Sequence, residues 1–167
     1  SFFPSITIEY EQPDILKSRM GWCYGDLGIA LSLWQCGKIL HDDGLKMKSL
    51  EILRFSTQRK QLEENSVWDA CLCHGTSGIA QIFLRMYYET GISSFLDANK
   101  FWINETLRMA TYTNNGTGFK ALEMKQSKLD YFDNYSFLEG ISGIGLSLMA
   151  SNSDIHFSDW DAFLLIK

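Results

Sequence analysis

The motif G-x-x-G-I-[A/G] occurs three times in this chain of 167 residues, as Gly25-Asp26-Leu27-Gly28-Ile29-Ala30, Gly75-Thr76-Ser77-Gly78-Ile79-Ala80 and Gly140-Ile141-Ser142-Gly143-Ile144-Gly145. A pattern that returns along a chain marks one supersecondary unit used repeatedly, which narrows the fold more than any single segment does. Each copy opens a mostly apolar stretch, from Leu31 to Trp34, Gln81 to Tyr88 and Leu146 to Ala150. Such stretches are too apolar all round for surface helices and predict buried, inner ones. Between them, about Leu45 to Gln58 and Ser94 to Tyr112 are amphipathic, with Lys46, Lys48, Glu51 and Arg54 turned outward. The order inner, outer, inner, outer, inner predicts an all-α fold, part of a ring of inner and outer helices.

Asp26, Thr76 or Ser77, and Ser142 stand where a side-chain N-cap would accept the free amides of a first turn. The first glycine of each copy is expected to supply an unusual backbone angle, and the second to let a neighbouring helix come close. Two short β embellishments are expected, a strand at Ile6 to Tyr10 and a hairpin within Gly118 to Asn134. Asp159 to Ile166 reads as a closing helical turn or an edge strand.

With 46% hydrophobic residues, residues 1–167 suffice for one core and read as a single domain. A net charge of −5, with no basic cluster beyond Gln58-Arg59-Lys60, argues against a nucleic-acid surface, which needs concentrated positive charge. No apolar run reaches the roughly 20 residues of a membrane helix, and Ser1-Phe2-Phe3-Pro4 does not open a signal peptide. The expectation is a cytoplasmic protein, associated with a membrane only through partners. The chain starts without Met and enters the repeat mid-pattern, so it is expected to be a fragment of a longer protein.

Aligned on the glycines, Cys23, Cys73 and Leu138 share one position, and Tyr24, His74 and Glu139 the next. Equivalent positions at the N-terminal ends of adjacent inner helices face a common centre, so Cys23, Cys73 and His74 can converge. Helix N-termini favour thiolates. Two thiolates and one imidazole suit Zn2+ with a fourth position open, the ligand set of a catalytic site. Buried cysteines are often only small hydrophobes, but repeat equivalence and adjacency favour the metal. Cys71 offers an alternative, a closed structural site with three cysteines and one histidine. Cys36 reads as core packing, His41 as a solvated loop residue, and His156 has no evident partner. Tyr24, Asp26 and Glu139 border the site as candidate substrate contacts, with helix capping the competing role for Asp26 and Glu139.

On Trp22-Cys23-Tyr24-Gly25, Cys73-His74-Gly75, Leu138-Glu139-Gly140-Ile141-Ser142-Gly143-Ile144-Gly145 and Asp159-Trp160-Asp161, the chain resembles the C-terminal part of the lanthionine synthetase C-like (LanC-like) cyclases. The resemblance implies an α/α toroid, with zinc held by Cys23, Cys73 and His74. It further implies an enzyme of lanthipeptide (lantibiotic) biosynthesis that adds peptide cysteines to dehydroalanine or dehydrobutyrine, forming thioether rings. The implied partners are a dehydrated precursor peptide and a dehydratase and transporter of the same pathway. The histidine that the family associates with acid–base work belongs to an earlier motif, absent before Trp22, so no catalytic acid or base is assigned within the chain. Two alternatives use the same zinc: addition of glutathione or another small thiol, and a non-catalytic scaffold in which the ion ties two helix ends. An incomplete ring also predicts self-association through exposed inner-helix surface.

Overall fold

In the computed structural model, residues 1–4, 18–113, 116–152, 159–164 and 166 are described. Inner helix α1 (Asp26–Leu40) is followed by outer helix α2 (Asp43–Ser56), then α3 (Thr76–Thr90) by α4 (Ser93–Arg108), and a last inner helix α5 (Ile141–Ser151). Strands β1 (Ala121–Lys125) and β2 (Lys128–Phe132) form an antiparallel hairpin between α4 and α5, with Leu122 opposite Tyr131 and Met124 opposite Leu129. Gln126 and Ser127 turn the hairpin with positive φ. The closing segment carries one 3-10 turn, Ala162–Leu164. This is the helical ring segment with a small β addition that the repeats predict. The expected strand at Ile6 to Tyr10, and His156, lie outside the described residues.

The repeats extend into the outer helices. Buried Ser49 of α2 donates its hydroxyl to the Ala30 carbonyl (2.7 Å), and Asn99 of α4 donates Nδ2–H to the Ala80 carbonyl (2.9 Å), each fifty residues from its counterpart. A buried carbonyl needs such a partner, and here the partner docks each outer helix on its inner one. Around these bonds pack Leu27 and Leu31 of α1, Ile52 and Leu53 of α2, Ile79 and Phe83 of α3, and Phe95 and Trp102 of α4, all at most 1% exposed. Full burial of each such side chain contributes about 1.5–3 kcal/mol. Helix α4 stops at Arg108 rather than Tyr112, because the Tyr112 amide bonds the Gly118 carbonyl (3.0 Å) and turns the chain toward the hairpin.

The capping expectation is corrected. Gly25, Gly75 and Gly140 occupy the N-cap positions, and none offers a side chain to the first turn. Asp26 and Thr76 sit one residue further in, where their side chains point back into the core. Thr76 receives a hydrogen bond from the Thr106 hydroxyl (2.8 Å), and Ser142 donates its own to the Tyr135 carbonyl (2.7 Å).

Candidate metal centre

Three equivalent loops lead into the inner helices, and both glycines of each motif are fixed by backbone. A Cβ on Gly25, Gly75 or Gly140 would lie 2.2, 2.6 or 2.4 Å from the carbonyl oxygen six residues earlier, on Arg19, Asp69 and Asn134. A Cβ on Gly28, Gly78 or Gly143 would lie 2.1, 1.8 or 2.0 Å from those of Trp22, Leu72 and Phe137. The second glycine therefore accommodates its own loop, not chiefly a neighbouring helix as expected. Only Gly25 among the first glycines needs a positive φ, of 75°. The loops are joined edge to edge, Trp22 N–H to the Cys73 carbonyl and Cys73 N–H to the Leu138 carbonyl, both 2.9 Å.

This stacking brings Cys23, Cys73 and His74 together, with the two Sγ atoms and a ring nitrogen all within 4.8 Å of one another. Cys23 Sγ lies 3.8 Å from His74 Nδ1. A tetrahedral zinc with Zn–S of about 2.3 Å and Zn–N of about 2.0–2.1 Å separates two such donors by roughly 3.6 Å, so the donor set fits that ion. Cys23 is exposed, whereas Cys73 is 8% exposed.

The electrostatics divide the two thiols. The hydrogen bond from Cys73, aided by His74 and by the charge of Arg19, lowers Cys23 to about 5 against the opposing effect of burial. The same hydrogen bond, with burial, raises Cys73. His74 is raised chiefly by its hydrogen bond to Cys23, with burial opposing. The hydrogen bond thus favours a thiolate on Cys23 over one on Cys73, and a cation that binds both sulfurs displaces the proton between them.

Cys71 is placed differently. It is 1% exposed, and burial first, then Asp69, pushes its thiol upward. Its sulfur accepts the His74 amide (3.5 Å) and groups with Asp69 and His74 in a second trio within 4.8 Å. Among the described residues, the four donors Cys23, Cys71, Cys73 and His74 are not all mutually within that distance.

Of the candidate substrate contacts, Tyr24 is 53% exposed on the rim of a cleft of about 460 Å3 lined also by Trp22, Cys23, Ile29 and Leu33. Glu139 is half-buried, its amide bonded to Ser136 Oγ (3.4 Å), and its charge reaches Cys71 and Cys73. Asp26 is corrected: it is 0% exposed, its carboxylate accepts the Phe2 and Phe3 amides (2.9 Å each) and pairs with Arg59 (3.0 Å), so it is out of a substrate's reach. Cys36 is exposed in the same cleft rather than packed in the core. His41 is the left-handed C-cap of α1, in solvent as expected.

Two residues had no signal in the motifs. Arg19 acts on the centre through its charge, and Asp69 sits between the trio and the hairpin. The repeat register, which makes them equivalent to each other and to Asn134, is the feature that finds them.

Paired inner and outer helices, with a two-thiol, one-imidazole centre where adjacent inner helices begin, define a toroid-type protein with a candidate metal centre. Residues 5–165 match the model of the lanthionine synthetase C-like proteins, and the chain belongs to that family. It is 30% identical over 152 residues to the nisin biosynthesis protein NisC of Lactococcus lactis subsp. lactis, an alignment covering 89% of this chain and 31% of that protein. A solved structure, nisin cyclase, matches with a TM-score of 0.66 and 26% identity, over 89% of this chain and 32% of the other. The chain thus spans about a third of the length of these relatives.

Proposed function

We propose that this chain is the metal-holding part of a zinc-dependent lanthionine-forming cyclase, and that Cys23, Cys73 and His74 are its zinc ligands. The observation that carries the reading is the convergence of two sulfurs and a ring nitrogen within 4.8 Å at the starts of two repeat-equivalent helices. Bound there, zinc supplies a Lewis acid that keeps a thiol ionised near neutral pH. The chain's own residues supply the rest of the site. Exposed Cys23 keeps one side of the donor set open to solvent. Tyr24 on the cleft rim and half-buried Glu139, whose charge reaches Cys73, are the groups that contact a peptide substrate. In this reading the substrate is a dehydrated precursor peptide, supplied by a dehydratase and exported by a transporter, and the setting is cytoplasmic. The histidine of the acid–base step lies in the remainder of the ring.

Residues 1–167 form one domain of that ring, and α1 is where it continues. Ile29, Ser32, Leu33 and Cys36 correspond to Ile79, Ile82, Phe83 and Met86 of α3, all 0% exposed, yet Ser32 and Cys36 are exposed on α1. In α5 the equivalent Ser147 donates to the Ser77 carbonyl of α3 (2.8 Å), while Ser32 turns back to Gly28 of its own helix (3.0 Å). A further inner helix of the same repeat type covers this face.

Zinc content and coordination, measured on the wild type and on Cys23→Ala, His74→Ala and Cys71→Ala, test the reading. One zinc per chain, lost with Cys23 or His74 and kept with its open position in Cys71→Ala, is expected. Four protein ligands including Cys71 would turn the site into a structural one and sink the catalytic reading.

A further inference from the structure

We infer that Asp69 is a positioning residue, which holds His74 in the metal loop and ties that loop to the hairpin β1–β2. The inference rests on the metal reading above and concerns a residue outside the ligand set.

Asp69 is 4% exposed, and each of its acceptors is occupied. Oδ1 accepts the Cys71 amide (3.1 Å), closing a turn two residues ahead, and the Asp69 carbonyl accepts the Thr76 amide (3.1 Å) at the start of α3. These bonds bracket Cys71-Leu72-Cys73-His74. Inside the bracket, the His74 amide is held by Cys71 Sγ and the Gly75 amide by the Cys71 carbonyl (3.0 Å). Oδ2 reaches out of the loop and accepts the Leu122 amide of β1 (3.0 Å), fifty-three residues away. A buried carboxylate with its oxygens so engaged is fixed in place, and what it grips is fixed with it.

The third repeat repeats the device without a metal ligand. Asn134 stands at the equivalent position, its Oδ1 accepts the Ser136 amide (2.8 Å), and its carbonyl accepts the Ile141 amide (2.9 Å). Its Nδ2 also reaches β1, donating to Glu123 Oε1 (2.5 Å). Two adjacent loops are therefore bolted to neighbouring residues of one strand. Only at Asp69 does the bolted loop carry Cys73 and His74, so the hairpin braces the candidate metal centre through that carboxylate.

The test is metal affinity on the whole 167-residue chain, by chelator competition with zinc, together with the absorption spectrum of the cobalt-loaded chain. Outer partners of metal ligands typically change affinity by about 10–100-fold, and a loss in that range, with an altered cobalt spectrum, is expected for Asp69→Asn and Asp69→Ala. Asp69→Asn keeps the turn that Asn134 makes but sets an N–H against the Leu122 amide, so it carries the test if Asp69→Ala does not fold. Leu122→Pro removes the distant donor, along with the local freedom of β1, and is expected to shift affinity in the same direction. Asn134→Ala removes the equivalent bolt from a loop that meets the centre at the Leu138 carbonyl, and is expected to lower affinity less than Asp69→Asn does. Wild-type affinity in Asp69→Asn, or an equal loss in Asn134→Ala, overturns the inference while leaving the metal reading standing. A wild-type chain that takes up neither zinc nor cobalt overturns both.

Discussion

Arg85 of α3 grips Asp161 of the closing turn through two parallel bonds, Nε to Oδ2 and Nη2 to Oδ1, both 2.8 Å, and Gln81 one turn earlier donates to Oδ2 (2.5 Å). Asp161 is 0% exposed and Arg85 is 8% exposed. The closing segment is thereby joined to an inner helix, and from it the Leu164 carbonyl accepts the Trp22 indole N–H (2.7 Å) beside Cys23.

Removing one partner of such a buried pair costs about 3–5 kcal/mol. Asp161→Ala is expected to lose about that much stability in urea unfolding. Replacing both partners together, as Arg85→Met with Asp161→Leu, is expected to cost less, because neither charge of the pair is left without the other. Equal losses in the single and double variants would refute the desolvation argument.

The glycine motifs give a prediction of opposite signs. Gly78→Ala would place a Cβ 1.8 Å from the Leu72 carbonyl oxygen, so the loop carrying Cys73 must move. Forced overpacking of this kind costs about 1–3 kcal/mol, and Gly78→Ala is expected to lower the unfolding midpoint and weaken zinc uptake together. At Gly145 a Cβ meets nothing within 4 Å, and the position is inside α5. Gly145→Ala is expected to stabilise by about 0.5–1 kcal/mol through helix propensity. Thermal unfolding of the two variants checks both signs.

That contrast also marks what the sequence could tell. At the last motif position Ala30 and Ala80 stand where the third copy has Gly145, so the freedom to carry a methyl there was legible from the alignment alone. The order of helices and the meeting of Cys23, Cys73 and His74 were legible for the same reason, since equivalent positions in stacked units lie side by side. The capping role of Asp26 was misread, because the N-cap falls on the glycine and a one-residue step turns the side chain inward toward Arg59. The position of Asp69 was marked by the repeat register but its role was not legible, and Arg85 had no signal. Their partners, Leu122 and Asp161, are fifty-three and seventy-six residues away, and such pairings belong to the packed chain rather than to any local pattern.

In the metal-free chain, the shared proton makes Cys23 the nucleophile. Its thiol is lowered to about 5 from an ordinary value of 9.0, so it is ionised at neutral pH and becomes protonated only as pH falls through about 5. In a Cys36→Ser background, iodoacetamide is expected to label Cys23 rapidly at pH 7, with the rate collapsing between pH 6 and pH 4, on the order of one decade per unit below the pKa. Cys71 and Cys73 are buried and raised, and are expected to react only on unfolding. Because the Cys73 hydrogen bond is the leading cause, Cys73→Ala is expected to move the Cys23 profile to higher pH. Peptide mapping of the labelled sites decides the matter, and zinc is expected to protect Cys23.

The uncovered face of α1 predicts association. Ser32 and Cys36 are exposed where their counterparts Ile82 and Met86 of α3 are buried, and Ile39 and Leu40 further along α1 are exposed at 76% and 67%. Large exposed apolar side chains beside an open helix face favour association, so the chain alone is expected to dimerise or aggregate as its concentration rises. Ile39→Lys with Leu40→Glu is expected to reduce that association in sedimentation velocity without lowering zinc content, since neither residue is near the centre's donors in the chain. Fusion of a further repeat before α1 is expected to suppress association as well, and to protect Cys36 from maleimide. If Cys36 reacts equally fast in the short and extended chains, the added helix packs elsewhere and α1 is not the seam at which the ring continues.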